Sequence, residues 1–171
     1  MFLKRKTTPL WLFLSIMLLV LFLSGCGQQA VDVTVSATAY KAEDAAFQEA
    51  CEVSFCGIYH ESIFSADSYQ GQIVIRNSTL TKPDDVTMEL RFDGDIAIPT
   101  AKTDLGYQYT PQIHSVLRNP DTQSLVMVLY NDYVETEDTR TGSFDPNNPV
   151  FLCMGEISRE DALKLISEKA L

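Results

Sequence analysis

The chain is poor in the residues from which most enzymes build their sites. It has two histidines and one tryptophan in 171 residues. G-x-S-x-G is absent, so the nucleophile elbow of the common serine hydrolases is missing. Also missing are H-E-x-x-H, a phosphate-cradling Gly-rich loop and G-x-G-x-x-G. Basic residues are scarce, 13 against 23 acidic for a formal charge of −10. No basic patch awaits a phosphate backbone, which excludes a nucleic-acid partner. With eight Gly, seven Pro and four Cys, the chain is neither collagen-like nor a dense disulfide scaffold. It carries no repeat of fixed period and no low-complexity tract. An apolar fraction of 46% with 21% charged residues excludes a disordered tail, and the length allows one domain.

What the chain does have begins at its amino terminus. Lys4, Arg5 and Lys6 precede the run Leu10 to Leu23, LWLFLSIMLLVLFL, which only Ser15 interrupts. Fourteen residues suit the core of an export signal. They fall short of the ~20 needed to cross a bilayer. The run ends in Leu23-Ser24-Gly25-Cys26, an apolar residue, two small ones and a cysteine. This segment resembles the lipobox of bacterial lipoprotein precursors. The resemblance covers the leader alone. It implies a diacylglyceryl group on the Cys26 sulfur, cleavage between Gly25 and Cys26, and a lipid-anchored protein on the extracytoplasmic face of the cell membrane. Each buried methylene contributes about 0.8 kcal/mol, and two acyl chains hold a protein stably where one does not. Loss of residues 1–25 would leave 10 basic and 23 acidic residues, a formal −13. The expected organisation is a signal peptide over 1–25, a short lipidated tether over 26–30 and one domain over 31–171.

With Cys26 taken by the anchor, Cys51, Cys56 and Cys153 remain. An exported compartment permits disulfides, and three thiols make at most one. Cys56 and Cys153 lie in runs that read as strands and could face each other across a sheet. An extended segment would hold Cys51 and Cys56 too far apart. The alternatives are a Cys56–Cys153 bond, a Cys51–Cys56 bond or buried free thiols. Cys51-x4-Cys56-x3-His60 lacks the tight pairs of a structural zinc site, and no metal is expected there. The reading includes no cofactor.

Val31, Val33 and Val35 alternate with polar residues as in a half-buried strand. Ala39, Ala42, Ala46, Phe47 and Ala50 fall at helical spacing, which predicts a helix from about Ala39 to Glu52. Beyond Val53, turns recur and strands alternate, most cleanly at Val86, Met88, Leu90 and Phe92, with Asp93-Gly94 as a hairpin turn. Leu125 to Tyr130 and Val150 to Met154 are apolar on both faces, so they belong where both sides of a sheet are covered. Asn131 to Asn148 reads as a long polar loop or a hairpin. Ser158 with Asp161 caps a last helix whose apolar stripe is Ala162, Leu163, Ile166 and Ala170. The expected fold is α+β, a mainly antiparallel curved sheet of about six or seven strands with an N-terminal and a C-terminal helix.

Chemistry is sparse. Cys153 with His114, or Cys56 with His60, are nucleophile–base pairs on paper without a signature. The acidic stretch Asp132, Glu135, Glu137 and Asp138 lacks the ligand spacing of a calcium loop, and weak cation binding is the most it suggests. Tyr107, Tyr109, Tyr130 and Tyr133 near strand ends suit stacking, an interface or plain sheet packing. The expected function is therefore a non-enzymatic binding or interaction module at the cell envelope, contacting an envelope protein or a cell-wall component. The alternative is a small-molecule-binding or hydrolytic domain with a pocket between sheet and helix.

Overall fold

Period-two alternation governs almost the whole molecule. The computed structural model describes residues 26–62, 65–81, 87–102, 108–136 and 140–169. The chain runs β1 (Cys26–Lys41), β2 (Gln48–Ser62), β3 (Ser68–Arg76), β4 (Thr87–Asp93) and β5 (Ile96–Lys102). It continues through β6 (Gln108–Tyr109), β7 (Ile113–Arg118), β8 (Leu125–Leu129), β9 (Asp132–Glu135), β10 (Arg140–Ser143) and β11 (Val150–Met154). The helix α1 (Arg159–Lys169) ends it. All sheet pairings are antiparallel, in the order β4-β3-β2-β1-β11-β8-β7-β5, and β5 returns to pair with β4. Eight strands therefore close an up-and-down barrel. β6 hangs on β5, and β9 and β10 form a separate hairpin.

This architecture corrects the expected α+β fold. The open curved sheet is a closed barrel, and α1 is the one helix among the described residues. The segment 39–52, expected as a helix, is the β1–β2 hairpin, paired continuously from Cys26↔Ser62 to Tyr40↔Gln48. Its alanines satisfy both periods. Ala37 and Ala39 alternate inward and are buried, suiting the taper of a barrel wall. Between the strands, Asp44 Oδ1 accepts the Ala46 N–H at 3.0 Å and the Asp44 carbonyl accepts the Phe47 N–H at 3.1 Å. That side-chain turn competes with helix for the same backbone groups. Residues 26–30, expected as a tether, are the first residues of β1. Residues 1–25, with the leader and Gly25, lie outside the described residues.

The barrel interior is packed by alternate residues of every wall strand, among them Val53, Ile73, Met88, Leu90, Met127 and Leu152. A second apolar layer lies outside the barrel. Leu117, Val126, Val128, Phe151 and Cys153 turn outward beneath Ala162, Leu165 and Ile166 of α1. The two strands that read as apolar on both faces are thus β8 and β11, with the interior on one side and α1 on the other. Ser158 caps α1 as the sequence suggests, accepting the Asp161 N–H at 3.1 Å and donating to its Oδ2 at 2.7 Å. Arg159 ties the helix to the β1–β2 turn through the carbonyls of Lys41 and Ala42, both at 3.1 Å.

Two local irregularities shape one end of the barrel. A bulge in β7 at His114 resets the alternation, so Ile113 and Val116 both reach the interior. The same reset turns Arg118 back toward the barrel mouth. At the end of β11, Gly155 adopts φ +85°, and the chain leaves the sheet. A Cβ there would sit 2.9 Å from Ser124 Oγ. β11 therefore pairs with β1 only over Ala37 to Lys41.

Candidate ligand-binding site

The end of the barrel that holds the start of β1 is hollow. A cavity of about 410 Å³ opens there. Its volume lies in the range of about 300–1,000 Å³ common to ligand pockets. β1 contributes Val31, Val33 and Val35 to its wall, while β2 and β3 contribute Phe55, Tyr59 and Tyr69. The far side is Leu90, Phe92, Val116 and Leu125, with Met154 and Gly155 where β11 ends. Phe55 and Tyr69 meet edge to face, ring centroids 5.9 Å apart. Tyr69 donates its hydroxyl to the Gln72 carbonyl at 2.9 Å, and burial pushes its pKa up to about 12, so it stays a neutral donor. β2 and β3 approach most closely at Gly57 and Gly71, where a Cβ on either would strike the other strand's backbone. That contact leaves the Tyr69 ring room to lie along the wall.

Polar groups gather at the lip. Asp67 Oδ1 accepts the Ser62 N–H at 3.1 Å and Oδ2 accepts the Tyr59 hydroxyl at 2.9 Å. The Arg118 guanidinium lies 3.9 Å from Asp67 Oδ2 and donates to the Gly94 carbonyl at 3.2 Å. Its carbon sits 5.0 Å above the Phe92 ring. The Ser62 N–H, the Tyr59 hydroxyl and the Arg118 charge hold the Asp67 carboxyl below its usual pKa. Desolvation, then the bonded carboxylate, raise the pKa of Tyr59. The result is a hydrocarbon-walled recess with a fixed ion pair and hydroxyl at its rim. Such a recess holds an apolar group and orients a polar one at the opening.

The pocket expected between sheet and helix is closed. The space bounded by His114, Phe144 and Ile166 measures about 10 Å³, room for about one water and far too little for a ligand. His114 fills that region, stacked on Phe144 at 4.1 Å and edge-on to Tyr130 at 5.2 Å. Burial lowers its pKa.

Other residues singled out in the sequence are dispersed. Cys51, Cys56 and Cys153 are all free. Cys56 pairs with Asp32 across β1 and Cys153 with Thr38, six residues along the same strand. At about 3.3 Å per residue these positions are roughly 20 Å apart, far beyond disulfide reach. Cys56 is exposed, whereas Cys153 lies buried under α1 with its pKa pushed up to about 12 by desolvation. Cys51 is buried in the interior and Cys56 is on the outer face, so Cys51, Cys56 and His60 do not converge. Asp132 and Glu135 are in the β9–β10 hairpin, where Glu135 pairs with Arg140 at 2.5 Å. Glu137, Asp138 and Tyr107 lie outside the described residues. Tyr133 donates to the Thr110 carbonyl at 2.9 Å, away from the cavity. Of the aromatic residues that line the cavity, Phe92 belongs to the strand read from its alternation, whereas Phe55, Tyr59 and Tyr69 carry no signal singled out in the sequence. The signal for Phe55 and Tyr59 is the alternation they share with Cys51 and Val53 on β2, and for Tyr69 the alternation with Ile73 and Ile75 on β3. Cys26 pairs with Ser62 at the same end as the cavity mouth. Among the described residues no helix is long and apolar enough to cross a membrane. Compared with protein-family models, curated proteins and solved structures, the chain matches none.

Proposed function

We propose that the protein is an exported, lipid-anchored binding module of the cell envelope that holds the apolar part of a small amphipathic molecule in the barrel mouth. The observation that carries this reading is the cavity of about 410 Å³, walled by hydrocarbon and rimmed by Arg118, Asp67 and Tyr59. At about 30 Å³ per water-sized group it has room for roughly a dozen carbon atoms. Cys26 and the mouth share one end of β1, so a diacylglyceryl anchor on Cys26 would turn the opening toward the bilayer.

The test uses the fluorescent hydrocarbon N-phenyl-1-naphthylamine and the mature chain carrying Cys26→Ser. One probe per chain is expected to bind with enhanced emission. Leu125→Trp, which fills the cavity from a partly buried position, is expected to weaken binding roughly tenfold or more. Probe binding unaffected by Leu125→Trp would overturn the reading. The same Cys26→Ser change in full-length protein is expected to abolish membrane retention. Normal retention would remove the anchor from the account.

A further inference from the structure

Among the described residues β1 has one neighbouring strand along most of its length. Every residue from Cys26 to Tyr40 pairs with β2, yet β11 covers only Ala37 to Lys41. The Ala42 N–H donates to the Pro149 carbonyl at 3.0 Å, continuing the β1–β11 register by one pair. Even-numbered residues of β1 therefore turn their N–H and C=O groups toward the β11 side, and odd-numbered residues turn theirs toward β2. Beyond Ala37, Gly155 has taken the chain out of the sheet. The backbone groups of Gln28, Ala30, Asp32 and Thr34 thus face a side on which no described strand pairs. The side chains between them, Val31, Val33 and Val35, face the cavity, and Val33 is 43% exposed although it points inward.

Natural edges are blunted with Lys, Pro, bulges or a covering element. From Gln28 to Ser36 this edge has no Lys, no Pro and no bulge, and Asp32 is its one charge. We infer that the edge is a strand-addition site for an extended segment of another envelope protein, with apolar residues at every second position and basic residues beside them. Main-chain bonds to the four even residues would provide the affinity. The alternate apolar side chains would enter the open flank of the cavity beside Val31, Val33 and Val35. Basic flanks fit a chain with no cation from Cys26 to Tyr40 and a formal −13 after processing. A second copy fits poorly. Twofold antiparallel pairing of two β1 edges would point their Cys26 ends in opposite directions, and one membrane could not anchor both. That last step rests on lipidation at Cys26; the edge itself stands whether or not the cavity takes a small molecule.

The test uses the full-length lipidated protein in phosphatidylcholine nanodiscs, with the capped peptide Lys-Val-Thr-Val-Thr-Val-Lys as probe. Residue-resolved hydrogen exchange is expected to show Ala30, Asp32 and Thr34 amides exchanging freely without peptide and protected roughly tenfold or more with it. Thr34→Pro removes an edge donor and leaves the backbone bonds to β2, at the cost of the 2.8 Å contact between the Thr34 and Ser54 hydroxyls that Ala30→Pro does not disturb. Thr34→Pro is expected to weaken peptide binding roughly tenfold, while Thr34→Ser does not. Ala30→Pro is the second variant, and unchanged protection in β8 and β11 certifies the fold of each. Edge amides already protected without peptide, no peptide binding at millimolar concentration, or binding indifferent to both prolines would overturn the inference. Protection that grows with protein concentration alone would assign the edge to a second copy instead. None of these readouts uses N-phenyl-1-naphthylamine, so failure of the cavity reading is seen separately.

Discussion

The barrel wall has two contrasting sides. On β8 and β11 both faces are covered, by the interior on one side and α1 on the other, and Phe151, Leu152, Val126 and Met127 are sealed from water. On the first half of β1 there is, among the described residues, one neighbouring strand, and the inward valines border a cavity. The two regions use similar apolar residues to different ends. In the covered wall, side chains bury against atoms on every side and supply stability. At the open flank the same chemistry is left partly unfilled, which makes it available to something else. Tightly packed and open apolar surface thus occupy neighbouring stretches of one continuous sheet.

The sharpest way to break this comparison is to truncate one residue on each side. Phe151→Ala is expected to cost about 3–5 kcal/mol in urea unfolding. Val33→Ala, already 43% exposed, is expected to cost about 0.5 kcal/mol. Equal losses would mean the flank is as tightly packed as the covered wall. Thiol chemistry gives the next contrast. Cys56 is exposed on β2, while Cys153 lies under α1. Iodoacetamide is expected to modify Cys56 roughly a hundredfold faster than Cys153 in the native protein, with mass spectrometry following each site.

Acid should separate the regions more gently. His114, in the layer under α1, has a folded pKa below its ordinary 6.5, so folding favours its neutral form. The stability it contributes is present above that ordinary value and is lost as pH falls through the folded one. His114→Phe is expected to flatten the fall in melting temperature just below pH 6.5. Asp67, at the mouth, also has a lowered pKa, from an ordinary 3.8. Its contribution is present above that value and disappears as pH drops through the lower folded one. Asp67→Asn is expected to remove that more acidic limb while leaving the His114 limb intact. Thermal melts of both variants across pH 7 to 2 would show whether the two limbs are independent.

Much of the wall was legible residue by residue. Alternation at Met88, Leu90 and Phe92 marked β4, and the Asp93-Gly94 turn marked the β4–β5 hairpin. Ser158 and Asp161 announced α1 because capping chemistry is local. The double-sided character of β8 and β11 foretold two coverings. The alanines near Ala39 misled because alanine suits both a helix and a tapering barrel wall, and only pairing with β2 and β11 decides between them. The site was far less legible. Tyr59, Asp67, Phe92 and Arg118 come from β2, the β2–β3 connection, β4 and β7, and no spacing joins them.

The amino-acid sequence by itself determined which residues alternate, where the chain turns and where the last helix begins, since each depends on neighbours a few positions away. Tertiary structure decided that the sheet closes, that its mouth stays hollow and that the first half of β1 has, among the described residues, a partner strand on one side alone. Closure pairs β1 with β11 from opposite ends of the chain, and the β7 bulge with the exit at Gly155 sets how far that pairing extends. Such long-range register is fixed by how whole faces bury together, and no local pattern contains it.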